Sequence, residues 1–380
     1  MKILLAPDSM KDSLSAVVAA EVMKQAIGEV YPGAEIECCP LSDGGEGLIE
    51  VLLNAGLGEE IYAEVEDPLG RSISARMLKV NSHTFILEMA QAAGLELLSP
   101  SERNPMHTST RGVGLMILEA LRLGAKEIYI GLGGSATHDL GCGMAHALGY
   151  RFYNVYGNEV VPDGQNLKDI VLIDFINVKD VSEIIFFGIT DVQSTLLGLH
   201  GAAYTYAKQK GASDTGIERL EKGSHQLVRV LKSVQKETFE NTIGSGAAGG
   251  LGFGLVTFLG ATLLKGLEVV GQFTSLDEKL MHADLIITLE GKTDAQTLEG
   301  KLPYSIALKA KQYGKPVILY TGSWDRNLSS PMKGVFDAVI PIQDKPMSVE
   351  ESIADVVVLL RNAVLRSFEL MKIKDSLHKN

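Results

Sequence analysis

The chain has 380 residues, 46% of them hydrophobic and 22% charged, with 40 glycines and a formal net charge of −12. That length exceeds what one hydrophobic core usually organises, so two domains are expected. The acidic balance excludes a general polyanion-binding surface, and with it nucleic acid as a partner, because backbone-phosphate binding needs clustered Lys and Arg. Any anionic ligand must be held locally.

Three cysteines, of which Cys38 and Cys39 are adjacent, give neither a disulfide framework nor metal-ligand spacing, and they suit a reducing compartment. The N-terminal MKILLAPDS has too few apolar residues before Pro7 and Asp8 for a signal peptide. Thr242 to Leu264 carries no charge over a length that could span a bilayer, but it is broken by glycines and stands alone. A cytoplasmic protein without a membrane partner is expected.

In chain order, Lys2 to Ala6 reads as a buried parallel strand. It ends in APDSMKDSLSA, where Asp8, Ser9 and Lys11 sit at the strand's carboxyl end and Ser15 can cap a helix over 16–30. A lysine there can meet a phosphate as a point charge, although a solvated loop lysine needs no ligand. Glu35 to Cys39 is a second strand running into LSDGGEG, whose Asp43 and Glu46 flank a Gly-Gly pair before a helix over 48–55. Such carboxylates suit a metal or a hydroxyl group, or merely cap the helix. Tyr62 to Glu66, Ile73 to Val80 and Thr84 to Met89 alternate as strands, and the turn DPLGRS at Asp67 to Arg71 marks a domain boundary.

Ser109, Thr110 and Arg111 open a helix over 111–124, a second anion-friendly position that ordinary capping explains equally well. The next stretch, Glu127 to Gly149, organises the chain. A strand enters a loop holding Gly131, Gly133, Gly134, Ser135, Thr137 and Asp139 and leaves as an apolar helical pattern. Glycines let a backbone approach an oxyanion and a helix N-terminus adds a favourable field, so the stretch reads as an anion cradle, with Asp139 suggesting magnesium. A tight turn that binds nothing is the plain alternative.

Ile170 to Phe175 and Ile184 to Ile189 are strands, the second ending at Thr190-Asp191, with Lys208 and Lys210 soon after. Gly216 to Val234 is an amphipathic helix, and GSGAAGGLGFG, with Gly249 and Gly250, opens an apolar helix to Leu264. Ala283 to Thr288 is a buried strand running into LEGKTDAQTLEGK, which places Glu290, Lys292, Asp294 and Lys301 at a strand end. Strands at 316–320 and 338–342 and a helix over 347–371 close the chain.

Buried parallel-type strands at both chain ends imply an α/β fold. A discontinuous doubly wound, Rossmann-like domain takes 1–70 and 283–380, and an inserted α/β domain takes 71–282. Carboxylates, lysines and glycine loops at strand ends make up the inventory of phosphoryl transfer: donors for phosphate oxygens, ligands for magnesium and a base for the attacking hydroxyl. No Walker loop and no protein-kinase signature is present. Asp191 and Asp294 are the expected base and magnesium ligand, in unassigned order.

At APDSMKDSLSA, LSDGGEG, GLGGSATHDLGCGMAHALG, GLHGAA with QKGA, GSGAAGGLGFGL and LEGKTDAQTLEGKLP, in that order, the chain resembles the bacterial glycerate kinase family of the glucarate and glyoxylate pathways. The resemblance implies two α/β domains with the active site in the cleft between them, and ATP-dependent phosphorylation of glycerate with Mg2+, the 2-hydroxyl being the expected acceptor. It also implies a small organic acid as the partner, with a homodimer left open. The chain departs from the family pattern at His138 (for Asn), Leu140 and Leu289 (for Gly), Ser194-Thr195 (for Asn-Pro) and Lys292 (for Arg). Those departures motivate a competing reading as a nucleotide- or acid-binding protein without catalysis. A third reading, an NAD(P)-dependent oxidoreductase, rests on the loose G-x-G-x-x-A at Gly131, Gly133 and Ala136.

Overall fold

The computed structural model describes residues 1–10, 13–234, 237–294, 297, 300–325, 327, 332 and 334–377. They divide into two units, one made of 1–43, 50–57 and 266–380, the other of 44–49 and 58–265.

The first unit is a five-stranded parallel sheet. Its order is Ala338–Pro341, Val317–Trp324, Leu285–Thr293, Lys2–Leu5, Glu35–Cys38. The apolar runs form strands because both faces are covered. Ile3, Leu5, Leu285, Ile287, Leu289 and Tyr320 pack with the helices Ala16–Val30 and Val356–Leu377, while the alternate residues Leu4 and Ile286 are also buried, on the opposite face. Ser15 caps the first of these helices as its sequence predicts, accepting from Val18 N at 3.3 Å. The chain winds one way from Lys2–Leu5 to its neighbour and the other way from Leu285–Thr293, so the order reverses between these two strands. In open α/β sheets that switch point is where ligands bind.

The second unit holds a six-stranded sheet. Thr262–Leu264, Ile185–Ile189, Glu127–Gly131 and Thr84–Glu88 run parallel, and Ser72–Lys79 and Glu59–Glu66 continue it antiparallel. Register aligns Glu88, Gly131 and Ile189 in one row, so the loops that follow them leave from a common edge.

Several elements differ from the sequence expectations. The division precedes Glu59 instead of falling at the DPLGRS turn, because Glu59–Glu66 pairs along its length with Ser72–Lys79. It also follows Lys265, since the helices Gly266–Thr274 and Leu276–His282 belong to the first unit. The strand expected to stop at Thr288 runs on to Thr293, because Glu290, Lys292 and Thr293 continue the ladder with Thr321, Ser323 and Trp324. The apolar segment 242–264 splits into a helical stretch, Ala247–Leu259, broken near its start by the left-handed residues Ala248, Gly249 and Gly250, and a sheet strand. No helix among the described residues is long and apolar enough to cross a membrane. The C-terminal helix is two, Val349–Ala354 and Val356–Leu377.

Candidate active site

In the first unit the switch point collects charge. Asp8 follows the strand Lys2–Leu5 and is tied to the neighbouring strand by its backbone N–H, which donates to Leu289 O at 3.1 Å. Its carboxylate accepts from Ser9 N at 2.7 Å. Glu290 is 4% exposed and accepts from Thr293 Oγ1 at 2.7 Å and from Thr297 Oγ1 at 3.2 Å. Burial pushes its carboxyl above the ordinary range, against the pull of those hydroxyls and Lys301. Asp294, just past the strand, lies 3.2 Å from Lys292 Nζ and 3.4 Å from Lys301 Nζ. Partial burial would raise its pKa, but the two ammonium groups prevail and hold it below the usual carboxylate value. Glu290, Lys292, Asp294 and Lys301, which the sequence puts at a strand end, lie near one another, the first two inside the extended strand. Asp43 is half-buried, and Lys11 lies outside the described residues.

In the second unit the glycine loops serve a different contact from the expected one. A Cβ at Gly131 would overlap Gly44 O, one at Gly133 would overlap Gly45 Cα, and one at Gly134 would overlap the Glu46 carboxylate. The close approach that glycine permits here is of one loop to another. Glu88, which the sequence did not single out, helps seat that second loop. It is 2% exposed and accepts from Ile49 N at 2.8 Å. Gly249 and Gly250 likewise press on Thr137 and Leu140.

Asp139 is fully buried and spends its acceptor capacity on the protein: Thr110 N at 2.7 Å, Thr110 Oγ1 at 2.8 Å, Gly141 N at 3.1 Å and Gly143 N at 3.2 Å. Burial outweighs those bonds and raises its pKa. A carboxylate so placed ties the loop to the helix Arg111–Arg122 and has little left to offer magnesium. Arg111 is engaged by Glu66 at 3.0 Å and by His146 Nδ1 at 3.0 Å. Asp191 is half-buried two residues past the strand Ile185–Ile189, whose last residue Ile189 packs against Gly44. Lys210, noted in the sequence without a role, is buried and donates to Ser135 Oγ and Thr137 O. Burial pulls its pKa down to about 7 against the charge of Asp139.

The departures at Leu140 and Leu289 fall in the two cores. Leu140 has φ of 57°, in the left-handed region that favours glycine. His138 is buried, with Nε2 3.1 Å from Ser224 Oγ and Nδ1 without a partner among the described residues. Burial, then the charge of Lys210, lowers its pKa from 6.5 to about 3. A base whose folded pKa lies below its unfolded value contributes stability that is complete above pH 6.5 and is lost as pH falls toward 3. His138 should therefore take about 2 kcal/mol from the fold at pH 5. Urea denaturation of His138→Asn at pH 5 and 7.5 should show a correspondingly smaller acid loss than the parent, and an equal loss would refute the buried neutral imidazole.

The loose dinucleotide fingerprint fails on geometry. The next helix, Cys142–Ala147, begins well after Ala136, where the fingerprint needs its third residue to open a helix, and the glycines are covered by Gly44 to Glu46. Among the described residues no group of three or more His, Cys, Asp and Glu is set to hold a metal. Magnesium does not require one, since it commonly binds through one or two carboxylates plus substrate phosphates.

A parallel sheet with carboxylates and lysines gathered at its switch point is the equipment of an α/β enzyme that handles small anionic ligands. The family model described as the glycerate kinase family matches residues 3–372. The chain is 38% identical to a glycerate kinase of Bacillus cereus and 37% identical to the glycerate 2-kinase of Escherichia coli, in each case over 93% of both chains. A solved structure of a Salmonella typhimurium LT2 protein, whose name assigns it to glycerate kinase 2, superposes with a TM-score of 0.83 at 35% identity over 99% of both chains. The chain belongs to the glycerate kinase family of enzymes.

Proposed function

We propose that the protein transfers the γ-phosphoryl group of ATP to a hydroxyl of D-glycerate, with 2-phosphoglycerate as product and the cytoplasm as its setting. The observation that carries this reading is Asp294, held ionised between Lys292 and Lys301 at the switch point of its sheet. The three groups divide the work of the reaction. The lysines, with Lys11, neutralise phosphate oxygens, and Asp294 orients the substrate hydroxyl and accepts its proton. Bound magnesium would add positive charge at the nucleotide phosphates. Asp191 is the carboxylate best suited to hold it, because Asp294 is already compensated by two cations and Asp139 is spent on backbone and hydroxyl donors. Asp8 and Ser9, just past one strand, and Glu290, within its neighbour, add polar groups on the two strands that flank the switch point.

Leu140 and Leu289 support retained catalysis over a binding-only protein, because their bulk fills cores. A coupled ADP-release assay with glycerate, glycolate, tartronate and lactate tests the substrate, and phosphorus NMR of the product distinguishes the 2- from the 3-phosphate. Glycerate-dependent ADP release is expected. Its absence at saturating glycerate and Mg-ATP would overturn the proposal.

A further inference from the structure

Lys210 has no part in the phosphate-handling roles above, yet the chain keeps it at 2% exposure. It ends the turn Lys208–Lys210, and its ammonium donates to Ser135 Oγ at 2.6 Å and to Thr137 O at 2.8 Å. A buried ammonium is unfavourable unless hydrogen bonds and an opposite charge offset its desolvation. A packed aliphatic side chain would support the loop at lower cost, so support alone does not account for a lysine here.

What a lysine does that an aliphatic residue cannot is fix the direction of the Ser135 hydroxyl. Below about pH 7 Lys210 is an ammonium group and only donates, whereas a serine oxygen carries one proton and two acceptor sites. With Lys210 donating, Ser135 Oγ accepts on that side and its own proton must point elsewhere. Ser135 lies where the loop passes from exposed Gly134 to buried Ala136. Its backbone is pinned on both sides, by Leu95 N to Gly134 O at 2.7 Å and by Ala136 N to Ala93 O at 2.9 Å. The hydroxyl, on a residue 9% exposed, thus becomes a fixed donor where the loop passes from exposed to buried, suited to an anionic oxygen.

We propose that Lys210 is a positioning residue that makes Ser135 a hydrogen-bond donor to an anionic oxygen of a bound substrate. The inference rests on the kinase reading of this enzyme, in which both substrates are anions: glycerate through its carboxylate, ATP through its phosphates. The test is a double-mutant cycle on the full chain, measuring kcat and both KM values for wild type, Ser135→Ala, Lys210→Met and the pair. Loss of a hydrogen bond to a charged oxygen should raise one KM about tenfold to a hundredfold in Ser135→Ala, with kcat and the other KM nearly unchanged. Which KM rises tells whether the oxygen belongs to glycerate or to ATP. Lys210→Met should raise the same KM, and the double variant should be no worse than the poorer single one. Lys210→Gln, which keeps an amide donor, should recover part of the loss, and it carries the cycle if Lys210→Met fails to fold. Multiplicative losses in the double variant, or a wild-type KM for both substrates in Ser135→Ala, would overturn the inference alone. No turnover in the wild type would overturn the kinase reading and the inference with it.

Discussion

Asp294→Asn and Asp191→Asn should each lower kcat by roughly two orders of magnitude or more, the scale associated with removing a positioned base or metal ligand. Asparagine keeps the size of the side chain and removes its charge, so the loss reports chemistry more than packing. For Asp294 the consequence for folding is small. Its partner Lys292 is 69% exposed and Lys301 is 38% exposed, so solvent screens the repulsion left between them, and exposed pairs of this kind contribute no more than about 1 kcal/mol. Single-turnover kinetics with urea denaturation of each variant separates the outcomes. Wild-type turnover in both variants would show the two acids to be loop caps, and failure of both to fold would show them to be structural.

The parallel sheet was legible because its strands are short continuous apolar runs, a pattern that burial on both faces requires. Ser15 was legible as a cap because its partner, Val18, is three residues away. The charged group Glu290, Lys292, Asp294 and Lys301 was legible as a cluster for the same reason of locality. The purpose of the glycines was not. Gly131, Gly133 and Gly134 have the spacing of an oxyanion cradle, and nothing local reveals that Gly44 to Glu46 fills the space their missing side chains leave. Glu88 and Lys210 escaped for a related reason. Each looks in sequence like an ordinary polar residue at the end of an element, and burial by distant segments gives it its significance. Strand length beyond Thr288 was hidden because the polar run EGKT is extended by pairing with Thr321 to Trp324, and tertiary pairing overrides composition.

Gly249→Ala is expected to have the largest effect on stability. Gly249 has φ of 66°, which an alanine adopts only with strain of about 1 kcal/mol. Its new Cβ would also overlap the Thr137 carbonyl oxygen and stand 2.8 Å from Thr137 C and 3.0 Å from His138 Cα. These are backbone atoms, so no rotamer change can relieve the clash. Nor can the facing loop withdraw freely, because Thr137 O is held by Lys210 and the following turn by Asp139. Overpacking of a fixed core typically adds 1–3 kcal/mol, which makes about 3 kcal/mol of total destabilisation the expected result. Gly47 is the internal control. Its φ of 86° carries the same kind of strain, but an added Cβ there meets nothing within 4 Å, so Gly47→Ala should lose only about 1 kcal/mol. Urea unfolding of the two variants measures the difference directly. Equal losses would deny the loop-to-loop contact at Gly249, and a raised KM without a stability loss would return Gly249 to the ligand-facing role that its sequence suggests.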